Sequence, residues 1–485
     1  MKYLSQLTLI SFILLFLTQC SAQDVVTADQ GSFGVDKKNK IIVWHQQNLD
    51  AILSKNKNIV SINFNEDFSL KNTSKKLSYN EGISVTNGDD YTLYISKIPL
   101  IHITIDTENM TNESKIAGNF TYYNNKEFIE SVMGVRYRGN LSLSFPKKSF
   151  DIEFWTDKTS QEKKDLKFNG MRSDDDWILD GMYNEPLRLR SDVATNLWLD
   201  IQKPYYLDKE PEAKNGFEVK YVELFKNNEY YGIYQFSESV DRKQLQIKKS
   251  EGNVVNGELY KANSYDGGPD FTKAPEKFNN LFPHWSGWRT EYPFINYKSH
   301  FENLFELQQL VVKGTDESFS NNIANKVNIE NVINYYLFVN AMRATDNLGK
   351  NYYLGKYNKN EPYFFVAWDL DGVLGIIRDG EREHVSDFVL GNGLFNRLIK
   401  LNPNNFNQKL KDRWIALRAN EFSNDALLSR IDKVYNKFTK EKIYEREQLV
   451  WINKLNENTN KEHYEYLKTS LENRLTFLDN HFKSL

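Results

Sequence analysis

Two runs rich in aromatic residues, Asn351-Tyr352-Tyr353-Leu354 and Tyr363 to Trp368, flank the turn residues Asn358-Lys359-Asn360. β-favouring residues on both sides of an Asn-rich turn predict an antiparallel hairpin. A hairpin leaves little freedom, because its two outer ends must lie side by side. Asn351 at one end and Asp369 at the other therefore become neighbours, with Asp346 on the loop that leads in. The preceding segment repeats Ile329, Val332, Ile333, Tyr336 and Leu337 at helical spacing, carries Asn328 as its cap, and ends near Met342. Local structure alone thus gathers three oxygen-bearing side chains.

Those residue types suit a small hard cation. Magnesium prefers oxygen and takes one or two carboxylates with phosphates and water. We assign Asp369 to the metal, Asn351 as its helper and Asp346 as the base that accepts a hydroxyl proton. Asp371 is a further metal-ligand candidate, since residues two apart on a strand share a face. Protein kinases use a similar set: a catalytic-loop Asp, an Asn five residues later, then a metal-binding Asp after a hairpin. Any one of these spacings is commonplace in a solvated acidic turn; their joint arrangement carries the weight.

Phosphates also need cations. Arg138-Gly139-Asn140-Leu141-Ser142 reads as a turn whose backbone N–H groups can face an anion. Lys147-Lys148 opens an alternating strand, Ser149 to Phe154, so one lysine faces each way and parity alone does not choose between them. Gln235-Phe236-Ser237-Glu238, after a strand, is a candidate hinge whose backbone meets a purine, which puts Glu238 on the nucleotide side. The sequence has no Walker loop, no Gly-x-Gly-x-x-Gly, no His-x3-His pair and no Gly-x-Ser-x-Gly elbow.

A net charge of -3 over 485 residues gives no field that would draw the chain to nucleic acid or anionic lipid. Met1-Lys2, an apolar run from Leu7 to Leu17 and Gln19-Cys20-Ser21-Ala22 predict an export signal over 1–22, and hence a secreted or cell-surface protein. Cys20 partly fits a lipoprotein box, and its lipidation is the one route to membrane attachment; cleavage after Ala22 fits an ordinary signal equally well. Cys20 is the only cysteine, so no internal disulfide supports the core.

The remaining pattern predicts an α+β chain. Residues 24–97 hold short strand-like runs, Ile41 to Val43, Val60 to Phe64 and Tyr91 to Ile95, and no chemistry. Residues 98–260 read as strands with a hairpin about Asn227-Asn228 and one helix, Asn184 to Ile201, with Pro186 in its first turn. From 261 to 485 the pattern is mostly helical, ending in Leu427 to Phe438 and Tyr464 to Leu478.

The chain resembles the CotH family of spore-coat-type secreted kinases. The matching segments are Tyr137-Arg138-Gly139-Asn140-Leu141-Ser142, Pro146-Lys147-Lys148-Ser149-Phe150, Asp176-Trp177-Ile178-Leu179, Val222-Glu223-Leu224-Phe225, Tyr231-Gly232-Ile233-Tyr234, Gly257-Glu258-Leu259-Tyr260-Lys261 and Trp368-Asp369-Leu370-Asp371 with Gly375. The resemblance implies an atypical protein-kinase-like two-lobe fold, with 98–260 as a mostly β small lobe and 261–485 as a mostly helical large lobe. It also implies ATP, Mg2+ or Mn2+, and phosphorylation of protein Ser/Thr hydroxyls. By the family pattern Asp346 is the catalytic Asp and Asp369 binds metal, while Ala344-Thr345 replaces the usual His-Arg. Two other readings compete: a glycosyltransferase using Asp369-Leu370-Asp371 to hold a nucleotide sugar, and a surface scaffold that keeps the fold without turnover. The acceptor protein is not identified by the sequence.

Overall fold

The computed structural model describes residues 23–277, 282–295, 300–383, 385, 387–451 and 459–484; the segment 1–22 expected to be an export signal, with Cys20, lies outside them. Among the described residues the chain is a mixed α+β structure with eleven α-helices and several sheets.

The leader folds as a seven-stranded mixed sheet running from Asp24–Thr27 to Asp90–Ser96, with one short helix, Leu49–Lys55. Trp44, Phe64, Phe68, Val85 and Leu93 form its own core. Strands Ile41–His45 and Asp90–Ser96 run parallel, next to the edge strand Phe33–Asp36.

The next strands close into a seven-stranded barrel. Its members are Leu100–Ile105, Ile116–Tyr123, Phe128–Arg138, Ser149–Trp155, Asp176–Asp180, Val219–Lys226 and Glu229–Glu238. All barrel pairings are antiparallel except Val219–Lys226 with Leu100–Ile105, the parallel pair that shuts it. Phe150, Ile152 and Phe154 alternate into the interior and meet Trp177, Val222, Leu224 and Phe236 there. Asn227 and Asn228 both adopt positive φ, as the expected two-residue turn requires. Closure removes every exposed sheet edge from this unit.

The predicted hairpin forms from Tyr352–Lys356 and Tyr363–Ala367, in the register Tyr352 opposite Ala367. It forms one edge of a separate five-stranded sheet whose next strand is Glu258–Ala262, so that strand joins the hairpin and not the barrel. Helix Ile329–Met342 packs on the hairpin, and the Asn331 side chain bonds both N–H and C=O of Phe365. Asn328 caps the helix through the Asn331 N–H, as read from sequence.

One helix starts later than its periodicity predicts. It spans Arg190–Ile201, because residues 184–189 form a buried turn. The Glu185 carboxylate accepts from the backbone N–H groups of Leu187, Leu189 and Arg190, which caps the helix from within that turn. The helix joins the helical core with Leu337 and Phe338 rather than the interior of the barrel. The tail helices Phe406–Ala419, Asn424–Lys440, Ile443–Val450 and Asn460–Lys483 complete that core, the last behind a capping box at Thr459.

Candidate active site

Helix Ile329–Met342 stops at Arg343, whose left-handed backbone (φ 55°) turns the chain away. A 3-10 turn, Thr345–Asn347, then presents Asp346. The buried Asn347 amide donates to Asn351 O and to Trp368 O, each at 2.7 Å, and so pins the open end of the hairpin. Asn351 and Asp369 occupy the left-handed region themselves (φ 58° and 57°), which Asn and Asp tolerate better than most residues. Asn351 thereby turns its side chain to Asp346, and Asp369 lines the same cleft. Asn351 Nδ2 donates to Asp346 Oδ2 at 2.9 Å, and Lys350 Nζ stands 3.7 Å from the same oxygen. Asp371 accepts from Asn184 Nδ2 at 2.8 Å.

The barrel supplies the opposite wall. A cleft of about 440 Å³ is lined on one side by Arg138, Gly139, Ser142 and Lys147, and on the other by Asp346, Asn351, Asp369 and Asp371. Asp180, the last residue of its barrel strand, joins them and accepts from Ser149 Oγ at 2.9 Å and Met182 N at 3.1 Å. The Arg138 guanidinium has no ion pair with the described residues and faces the acidic side; its charge is felt at Asp369. Gly139 adopts φ +109°, and a Cβ there would overlap Ser142 Oγ, so the tight turn beside Arg138 requires glycine.

Lys147 is buried against the barrel wall. Its Nζ lies 2.5 Å from Glu447 Oε1 and donates to Ile233 O at 2.6 Å. Glu447 is held in turn by Ile233 N at 2.8 Å and Arg188 Nε at 3.2 Å. Burial pushes the Lys147 amine down to about 8, although Glu447 opposes the shift. Asp369 and Asp371 shift the other way. Asp369 opens into the cleft, yet the dense protein around it disfavours its charge and raises its pKa; Arg138 and Lys261 pull the other way, against smaller repulsion from Asp180 and Asp346. Asp371 is pushed well above the usual carboxylate range by burial and by Asp369.

Six of the sequence-predicted residues therefore share the cleft: Asp346, Asn351, Asp369, Asp371, Arg138 and Lys147. Two do not. Lys148 points away and donates to Leu143 O at 2.5 Å, so Lys147 lines the cleft and Lys148 does not. Glu238 is a buried structural carboxylate that accepts from Arg172 N, Glu218 N and Gln244 Nε2. The hinge expected at 235–238 is absent because that strand is paired on both sides within the barrel, Trp177 with Glu238 and Val219 with Ser237. No free backbone remains there for a purine.

Sequence reasoning missed Asn347, Asp180, Asn184 and Glu447. Asp180 directly follows the Asp176-Trp177-Ile178-Leu179 segment, and strand parity could have found it. Glu447 stands 300 residues from Lys147 and carries no local signal.

Oxygen donors from Asp369, Asp371 and Asn351, with no thiol or imidazole among the lining residues, fit Mg2+ or Mn2+. The Asp369 carboxylate repels that of Asp371, a repulsion that a cation between them would relieve. The tightest acidic clusters among the described residues lie elsewhere, at Glu153–Asp175–Asp176 and Asp165–Asp174–Asp175. Lys163 and Lys243 already neutralise them.

Residues 135–478 match the sequence model of the CotH kinase protein family. The chain belongs to the CotH kinase family. The CotH match begins within strand Phe128–Arg138 and ends in helix Asn460–Lys483, so it takes in every cleft residue named above and leaves the leader sheet outside. No curated protein matches this CotH-family chain.

Proposed function

We propose that this CotH-family chain is an exported protein kinase that uses ATP and a divalent cation to phosphorylate Ser/Thr hydroxyls. The observation that supports this reading is the opposition, across one cleft, of Arg138 and Lys147 to Asp346, Asn351, Asp369 and Asp371. The barrel serves as the small lobe of a kinase-like pair and the helical body as the large one.

Asp369, with Asn351 and Asp371, would hold the cation, which neutralises phosphate charge when bound. Arg138 faces where the triphosphate would lie, and Lys147, anchored by Glu447, lines the same wall of the cleft. Asp346, oriented by Asn351 and Lys350, accepts the proton of the acceptor hydroxyl as that oxygen bonds to the γ-phosphorus. The bond from the γ-phosphorus to the bridging oxygen breaks, and ADP leaves with the bond's electron pair.

Incubation of the mature chain with γ-labelled ATP, Mg2+ or Mn2+, and protein acceptors tests the proposal. Metal-dependent transfer of label to Ser or Thr, lost in Asp346→Asn and Asp369→Asn, is the expected result. Transfer that survives both substitutions would overturn this assignment of roles.

A further inference from the structure

The leader sheet lies outside the family match, yet it grips the helix whose Glu447 bonds Lys147. Helix Ile443–Val450 carries three consecutive polar side chains with three different partners. Glu445 accepts from the hydroxyl of leader residue Tyr94 at 3.1 Å. Arg446 donates to leader residue Ser96 at 3.2 Å and pairs with barrel residue Glu223, both ions being 0% exposed. Ser96 Oγ itself donates to Glu223 at 2.8 Å, and Tyr230 donates to the other oxygen of that carboxylate. Glu447 points the remaining way, to Lys147 and Ile233 N. Ile41, Val43 and Tyr94 of the leader pack with Leu100, Phe225 and Tyr230 of the barrel around this network, with Val450 against them. A helix of eight residues has little stability of its own and takes its position from what it touches.

We propose that the leader is a brace for the active site: Tyr94, Ser96 and Arg446 are positioning residues that fix the helix so that Glu447 holds Lys147 in the cleft. This deepens the kinase reading and rests on it for the meaning of Lys147. The contacts themselves do not depend on that reading. Arg446 is too deeply paired for a mild substitution, so the test uses Tyr94→Phe with Ser96→Ala in the full mature chain, and Gln448→Ala on the exposed face of the same helix as control.

Two readouts separate the brace from the enzyme. The first is amide exchange over residues 231–234, whose Ile233 N–H bonds Glu447, compared with strand Phe128–Arg138 in the same barrel. The brace predicts exchange about three- to tenfold faster at 231–234 alone, the size of one lost hydrogen bond. The second is Mg-ATP affinity, expected to weaken by a similar factor and with an altered pH dependence near the Lys147 titration. Unchanged protection at 231–234, or equal acceleration in the reference strand, overturns the brace. If the wild-type chain binds no nucleotide, the kinase reading fails, while the exchange comparison still decides the brace.

Discussion

At the residue scale the cleft is a set of charges arranged against the stability of the fold. Asp369 and Asp371 have raised pKa values through the dense protein around them and, at Asp371, through repulsion from Asp369. Between the unfolded and the raised folded value the folded state binds the extra proton, so their contribution to stability falls as pH rises. Asp369→Asn should therefore leave the metal-free protein melting as high as the wild type or higher at neutral pH, as checked by calorimetry. The same substitution should remove the metal-dependent rise in melting temperature. Asp346→Asn should lower phosphoryl transfer by about 10²- to 10⁴-fold, the range for a lost general base, with melting little changed. Asn347→Ala works differently. It leaves two buried carbonyls without their donor, so denaturation should show a loss of about 1–3 kcal/mol, and activity should fall because the hairpin end opens.

Elements explain which lysine matters and why a glycine stands opposite it. Lys147 lines the cleft, and Gly232 (φ +89°) leaves room for the Glu447 carboxylate, which a Cβ would overlap. Gly232→Ala should cost about 1–3 kcal/mol through strained backbone and the displaced ion pair, measured by chemical denaturation. Burial lowers Lys147 from 10.5 to about 8, so between those values the unfolded state binds more protons and stability gains with pH. The stability advantage of the wild type over Lys147→Met should widen from pH 8 to pH 10. The hairpin, its Asn328-capped helix and the Asn227-Asn228 turn were legible because each is fixed by residues close in sequence. The hinge at 235–238 was not, since only barrel closure shows that its backbone is fully paired. Nor was the late start at Arg190, which depends on one carboxylate, Glu185, folding back on its own turn.

At the scale of the whole molecule, two sheet systems and a helical body meet at one cleft. The acidic side was readable as a unit because a single hairpin builds it. The basic side was readable only as candidates, because Arg138 and Lys147 reach Asp369 through tertiary packing of the barrel on the helical body. Glu447 and the leader contacts at Tyr94 and Ser96 link segments hundreds of residues apart and leave no local trace. The most direct measurement of the central claim is thermal unfolding of residues 23–485 with and without Mg-ATP, in parallel with Asp369→Asn. Ligand at about a hundred times its dissociation constant should stabilise the wild type by about 2.7 kcal/mol and leave the variant unmoved. A wild-type melt that ignores millimolar Mg-ATP, or a variant that responds equally, would contradict the account.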